Sequence, residues 1–334
     1  YQNRKLYKLY LILIKIMLSN KDKKILAELE KNSRQSFSKI AKKLKTSKEV
    51  INYRVKNLVK QGIITRFFTE INLHKLGMQV YKIYFQFQNV SEIKEQEMYD
   101  YFTKTLGIPW VVSCSGKYDM IISFGAKDIN HFNEYITKIM NKFSKCILNR
   151  EISTTLVFTT YDRKWIDSNL KIRGTGVGGD IVDNKIDKKD IKILANLSDD
   201  SRVSIIKLSK ELDLTSGAII NRIKNLEKKG IINAYRIGLN YKKLNKEFCK
   251  SFVYLSNKTS EQEKKIIEYV ESLPEIFTLI RCVGSWDLEF EFNVDNFTDF
   301  HKIMKDIKNR FDIIRGYESV IISKEYGINY FKFI

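Results

Sequence analysis

Cysteine and histidine are scarce in this chain. Its 334 residues hold four cysteines and no CxxC pair, so neither a zinc ribbon nor a redox motif is present. The three histidines, His74, His131 and His301, stand alone, without HExxH or a His-rich tract. No catalytic constellation, metal site or cofactor is therefore expected. Cys114 and Cys282 lie in equivalent apolar runs and read as buried free thiols in a reducing compartment, hence a cytoplasmic protein. Long apolar runs are missing too. Leu6 to Leu18 comes nearest, but Lys8 and Lys15 interrupt it, it is too short to span a bilayer, and no small-residue cleavage site follows. It is read as a helix over residues 1–19 packed on the first domain, with no membrane partner. The first residue is Tyr1 rather than methionine, which leaves open where the natural chain starts.

Acidic residues are outnumbered. Lysine and arginine total 59 against 39 aspartates and glutamates, a formal net charge of +20. Such an excess favours a polyanionic partner, most simply nucleic acid. The competing reading is a Lys-, Ile-, Asn- and Tyr-rich composition whose lysines only solvate the surface. With 43% hydrophobic and 29% charged residues, the chain is globular and long enough for two to four domains.

What is present is a duplication. Gly230 stands 168 residues after Gly62, and the same offset carries Lys21 to Lys189, Gly116 to Gly284 and Phe143 to Phe311. A register this long implies that an entire module is repeated. Its centre is a stretch from Ser47 to Ile64 that returns from Thr215 to Ile232. Each copy opens on a hydroxyl residue suited to capping a helix. Val50, Arg54, Val55 and Leu58 follow at helical spacing, matched by Ala218, Arg222, Ile223 and Leu226. Gly62 and Gly230 sit where a helix end needs positive φ, and β-branched residues then begin a strand. A capped basic helix, a glycine stop and a strand look like the recognition helix and wing of a winged helix-turn-helix. Two shorter helical patterns precede each copy, with Ser33-Arg34 and Ser201-Arg202 in the turn between them. A strand pair is expected to follow, leading through Asn72–Leu76 and Asn240–Leu244.

The second half of each module reads β-α-β-β-α-β. Ile83, Phe85 and Phe87 alternate with polar neighbours as in a strand. Met98, Phe102 and Leu106 mark a helix, then Trp110 to Ser115 and Asp119 to Ala126 form two strands. Ile129, Phe132, Ile136, Ile139 and Phe143 form a second helical stripe, and Ile147 to Thr160 closes the sheet. Helices on one face of an antiparallel sheet make a ferredoxin-like arrangement, so the chain is of the α+β class. The expected domains are winged helix-turn-helix units at 20–72 and 186–240, ferredoxin-like units at 73–166 and 241–334, and a Gly-rich linker at 167–185. The linker's glycines lack the Lys-Ser/Thr and the strand-to-helix context of a phosphate loop, so it is read as flexible.

A winged helix-turn-helix followed by a βαββαβ unit resembles the leucine-responsive (Lrp/AsnC, feast/famine) regulators. The residues that carry the resemblance run from Arg222 to Ile232, with Leu76-Gly77 and the turns Gly116-Lys117-Tyr118-Asp119 and Gly284-Ser285-Trp286-Asp287. Val59 stands where the family usually has Glu, and Asn245 where Gly is expected. The resemblance implies a sequence-specific DNA-binding transcriptional regulator, amino-acid responsive in many members. Dimers form through the sheet units, so two copies in one chain would make an intrachain pseudo-dimer, open to further homo-oligomerisation.

On that reading the partner is double-stranded DNA, and base contacts fall to Lys48, Asn52, Tyr53, Ser216, Ile220 and Asn221. Arg54, Lys56, Arg222 and Lys224 would meet phosphates. The alternative for Arg54 and Arg222 is a salt bridge inside the domain; for Asn52 and Asn221 it is a solvated helix face. An effector pocket would involve Gly116, Asp119, Gly284 and Asp287, with turn stabilisation as the other reading. Two rival functions remain. One is a sirohaem decarboxylase-like enzyme, which has a similar fold but needs basic and histidine residues around a tetrapyrrole; only His74 is suitably placed, and its counterpart is Lys242. The other is a low-specificity architectural DNA-binding protein, which unlike recognition helices would also suit.

Overall fold

Side-chain caps set where the first helices begin. In the computed structural model, which describes residues 18–168, 170, 174–328 and 331, the Ser19 hydroxyl accepts from the Asp22 N–H and starts α1 (Asn20–Lys31). Ser36 caps α2 (Phe37–Lys43) and Ser47 caps α3 (Lys48–Lys60), each satisfying an N–H that has no partner within its helix. The helix expected over residues 1–19 falls on positions that lie, up to residue 17, outside the described residues. After Gly62, at φ 65°, comes β1 (Ile64–Ile71). The sheet unit follows as β2 (Gln79–Phe87), α4 (Glu92–Asp100), β3 (Trp110–Gly116), β4 (Met120–Ala126), α5 (Ile129–Phe143) and β5 (Ile147–Tyr161). Next is β6 (Gly174–Gly178). The second module repeats the order as α6 (Lys188–Asp199), α7 (Ile205–Leu212), α8 (Ser216–Lys228), β7 (Ile232–Leu239), β8 (Glu247–Leu255), α9 (Ser260–Ser272), β9 (Ile276–Gly284), β10 (Leu288–Val294), α10 (Phe297–Arg310) and β11 (Ile314–Ile328).

The strand after each recognition-type helix differs from expectation. A strand pair within each copy was expected; each copy supplies one strand, and β1 pairs antiparallel with β7, from Ile64 opposite Leu239 to Ile71 opposite Ile232. A lone strand leaves its ladder N–H and C=O groups unpaired, and here the other repeat satisfies them. Packing follows the same exchange. Ile237 and Leu239 of β7 lie in the core of the first helical unit with Ile25, Ile51 and Leu58. Ile71 and Leu73 lie in the second, with Ile193, Ile219 and Leu226.

In each sheet unit the first and third strands are central neighbours, as the βαββαβ order requires, giving β5-β2-β4-β3 and β11-β8-β10-β9. The fifteen-residue strands β5 and β11 then reach across. β5 pairs with β2 at one end and with β9 at the other; β11 pairs with β8 and with β3. The two sheets thus close into one ring within the chain. Aromatic and aliphatic side chains, among them Tyr84, Trp110, Phe252 and Trp286, fill its interior. The α4/α5 and α9/α10 pairs cover apolar cores on the outside.

The Gly-rich linker also departs from a flexible tether. Its Gly174–Gly178 segment is β6, paired with β5 so that Val177 faces Phe158, and Val177 is buried. A Cβ on Gly174 would meet Thr159 Cγ2 at 2.8 Å, so the absence of a side chain is what lets this segment lie flat on β5. Ile166 and Leu170, just before it, are buried in the first helical core.

Candidate nucleic-acid interface

The helices α3 and α8 are built alike. Ser47 accepts from the Val50 N–H and Thr215 from the Ala218 N–H, both at 3.2 Å. Ile51, Val55 and Leu58, and Ile219, Ile223 and Leu226, point into their cores. The opposite faces are open. Lys48, Tyr53 and Lys56 are exposed, with Tyr53 at 67%, and Asn52 is half-buried. Ser216, Ile220, Asn221 and Lys224 are exposed on α8. These faces carry hydrogen-bonding, cationic and apolar groups, the kinds of side chain that read base edges and phosphates.

Arg54 and Arg222 are engaged within their own units, so their expected phosphate contacts give way to the alternative. Arg54 Nη1 lies 2.9 Å from Asp22 Oδ1 and also reaches Ser19. Arg222 Nη1 lies 2.8 Å from both Asp187 Oδ2 and Asp190 Oδ1. Each arginine ties the middle of its helix to the start of the first helix. The Asp190 N–H, and after it Arg222, hold the Asp187 carboxyl below the usual range despite some burial. The motif alone names an arginine on the helix; its carboxylate partner lies on another helix and emerges only when the three are packed.

Two residues from each repeat, with no assigned role, sit where the units meet. The Ser33 and Ser201 hydroxyls, equivalent in sequence, hydrogen-bond each other at 2.7 Å. Arg34 Nη1 donates to the carbonyls of Ser201 and Val203, and Arg202 Nη1 to those of Ser33 and Gln35. Arg202 also stacks 4.2 Å over the Phe37 ring. This reciprocal clasp, with the β1–β7 ribbon, fixes α3 and α8 relative to each other. The conspicuous signal in the sequence was the repeated Ser-Arg pair in the turn.

The sheet turns come out as strand junctions. Gly116 and Gly284 have φ of 134° and 155°, and a Cβ on them would approach the Ser319 and Ile152 carbonyl oxygens at 2.7 and 2.6 Å. Each glycine lies where the long strand of the other repeat passes. Asp119 accepts from the Phe87 N–H at 2.7 Å and Asp287 from the Leu255 N–H at 2.8 Å. Lys258 further pairs with Asp287 at 3.0 Å. Both carboxylates therefore hold turns. A hollow of about 250 Å³ opens beside Asp119, bounded by Asn89, Glu95 and Cys114.

His74 is buried, its Nδ1 2.8 Å from the Gly179 carbonyl. It lines a cavity of about 130 Å³ between the ribbon and one end of the ring, together with Arg66 and Arg163. The four cysteines are free. Among the described residues, no helix is long and apolar enough to cross a membrane, and no group of three or more His, Cys, Asp or Glu could hold a metal ion.

Comparison with known proteins agrees with this arrangement. The profile of winged helix-turn-helix DNA-binding domains matches residues 18–65 and 186–233. The HTH-type transcriptional regulator LysM of Saccharolobus solfataricus is 31% identical over 122 residues, which span 36% of this chain and 83% of that protein. The regulatory protein AsnC of Haemophilus influenzae is 23% identical over 138 residues, 41% of this chain and 91% of that protein. The crystal structure of the siroheme decarboxylase NirDL with an iron-uroporphyrin III analogue superposes with a TM-score of 0.63 at 11% identity, over 94% of this chain and 96% of that one. At that identity the likeness is one of fold, and it extends to the paired-module architecture.

Proposed function

The chain belongs to the Lrp/AsnC family of helix-turn-helix transcriptional regulators, and from that premise we propose that it binds double-stranded DNA as an intrachain pseudo-dimer. The observation that carries this is the reciprocal Ser33–Ser201 and Arg34–Arg202 clasp, which holds two exposed recognition faces in one fixed relation. A fixed pair of such helices suits successive major grooves about 34 Å apart. Lys48, Asn52 and Tyr53 on α3, and Ser216, Ile220 and Asn221 on α8, would meet bases; Lys56 and Lys224 would meet phosphates. The unlike faces call for an asymmetric site. The net charge of +20 adds a steep loss of affinity with salt through counterion release. The four free thiols suit a cytoplasmic setting.

In vitro selection of bound DNA tests this. Two unlike half-sites about one helical turn apart are expected. Enrichment of no sequence, with binding that depends on salt alone, would leave the architectural reading in its place. The same selection with amino acids added tests an effector at the Gly116–Asp119 and Gly284–Asp287 turns, where the hollow beside Asp119 offers a carboxylate and a polar rim.

The fold likeness to a siroheme decarboxylase does not favour that chemistry here. The cavity lined by His74, Arg66 and Arg163 measures about 130 Å³, and His74 is already engaged by the Gly179 carbonyl; the larger hollow of about 850 Å³ that shares Arg66 and Tyr241 is lined by no histidine among the described residues. Adding sirohaem is expected to leave its absorbance spectrum unchanged; a shifted spectrum with decarboxylated product would overturn the regulatory reading.

A further inference from the structure

The Arg34–Arg202 clasp holds two like charges against each other. Only Nη1 of each guanidinium bonds the opposite unit, Arg34 at 3.0 Å from the Val203 carbonyl and Arg202 at 3.1 Å from that of Gln35. Among the described residues neither guanidinium forms an ion pair, and Nε and Nη2 of both make no hydrogen bond. These four nitrogens keep contact with solvent, unlike the enclosed Nε of Arg163 and of Arg236. Burial lowers both guanidinium pKa values from the ordinary arginine value, and the charge on Arg34 lowers that of Arg202 further. Arginine stays charged through such shifts. Carbonyl acceptors would be served as well by a neutral amide. They do not account for two cations that repel each other at one junction.

A hollow of about 430 Å³ opens beside the pair. Its lining joins both arginines to Ser204, just before α7, and to Ile220, Lys224 and Glu227 on α8. Every charged group of the lining is in that set, three cations against one carboxylate. Glu227 already accepts from the Tyr235 hydroxyl at 2.6 Å. Asp200, two residues before Arg202, accepts from the Arg202 N–H at 2.8 Å and lies outside the lining. Ile220 and Lys224 belong to the exposed face of α8, so the hollow opens on the side that meets DNA in the reading above. The first repeat differs here. Phe37 stands where the second has Ile205, and Arg202 lies 4.2 Å over its ring; Val59 stands where the second has Glu227.

We propose that this hollow seats one phosphate of the DNA backbone, in the spacer between the half-sites of α3 and α8. Arg34 and Arg202 donate to its oxygens, with Lys224 beside them. Nε and Nη2 of an arginine form a side-on fork that matches two phosphate oxygens, and both remain available while Nη1 stays on the carbonyls. The inference rests on the DNA-binding reading and adds a contact where the two units meet. A phosphate carries no base identity, so this contact sets register and strength for every sequence alike.

The test uses the full chain and its selected duplex, with binding followed by fluorescence anisotropy. Single methylphosphonate linkages, each neutralising one phosphate, are moved through the spacer. One of them is expected to weaken binding to the unaltered chain about tenfold, the size of one charge-assisted hydrogen bond. Arg34→Met combined with Arg202→Met is expected to weaken unmodified duplexes about tenfold and to reduce the slope of log K against log salt by about one. The combined variant is also expected to be indifferent to the linkage that weakened the unaltered chain. That loss of coupling is not expected of a purely structural clasp, because loosened units would still feel the neutral linkage. The linkage scan needs no substitution, so it decides the matter even where the combined variant does not fold. Tight binding that tolerates every neutral spacer linkage would overturn the proposal and leave the DNA-binding reading standing, as would a combined variant still sensitive to the linkage. A chain that binds no duplex, or selects no half-sites, would overturn both.

Discussion

Lys82 and Lys250 occupy equivalent positions in the two repeats, yet both end on one carboxylate, Glu289, at 2.7 and 2.6 Å. The residue equivalent to Glu289 is Ile121, so symmetric lysines share an asymmetric acid inside the ring. Burial alone would raise the Glu289 carboxyl, but Lys250 and Lys82 overcome it and hold it well below the usual range. A depressed folded-state pKa contributes stability above the ordinary carboxyl range near 4.5, and that contribution falls away as pH drops towards the folded value. Stability is therefore expected to decline below about pH 4.5. Glu289→Ala, which strands the buried Lys82 ammonium while Lys250 keeps Glu291, is expected to cost about 3–5 kcal/mol at neutral pH; urea titrations of both proteins at neutral and acid pH would check this. On the recognition helices the scale is smaller. Asn52 can pair two-fold with adenine beside Tyr53, whereas Asn221 sits beside the apolar Ile220. Asn52→Ala is expected to cost about 1–3 kcal/mol on a selected site and relax one base position, and Asn221→Ala less. Equal losses in binding titrations would remove the asymmetry.

At the level of elements, glycines separate two kinds of demand. Gly284 ends β9 at φ 155° with the Ile152 carbonyl against it, so Ala there is both strained and crowded. Gly217 lies in the first turn of α8, where a Cβ would meet nothing nearer than Thr215 Oγ1 at 4.0 Å. Gly284→Ala is expected to destabilise by more than about 1 kcal/mol. Gly217→Ala is expected to stabilise by up to ~1 kcal/mol, the helix propensity gained. Thermal unfolding reads both, and a stabilising Gly284→Ala would show that β9 and β5 can separate without loss. The elements themselves were largely legible: caps at Ser47 and Thr215, stops at Gly62 and Gly230, and the alternation in β2 all encode local geometry. β6 was not legible, because a Gly-rich segment becomes a strand only when an edge such as β5 is there to pair with it.

Across the whole molecule, each helical core is completed by a strand from the other repeat, and each sheet is closed by the other's long strand. Residues 1–184 by themselves would leave β1 unpaired and β5 without β9. Half-chains are therefore expected to dimerise, and to form a one-to-one complex when 1–184 and 185–334 are mixed. Light scattering after gel filtration distinguishes these from a stable folded monomer, which would mean the exchange is dispensable.

By itself the sequence determined the repeat, the order of elements and the α+β class, because capping, helix stops and period-2 patterning act within a few residues of one another. It also supplied the family motif and the faces of α3 and α8. Only the tertiary structure decided which strand pairs with which, since two like modules offer the same edges to themselves and to each other, and local pattern cannot choose between them. It decided that Arg54 and Arg222 face carboxylates of a neighbouring helix. It also created the cavity at Thr160 and Arg163, which exists because residues far apart in the chain, on the ribbon and on the ring, converge there without filling the space between them.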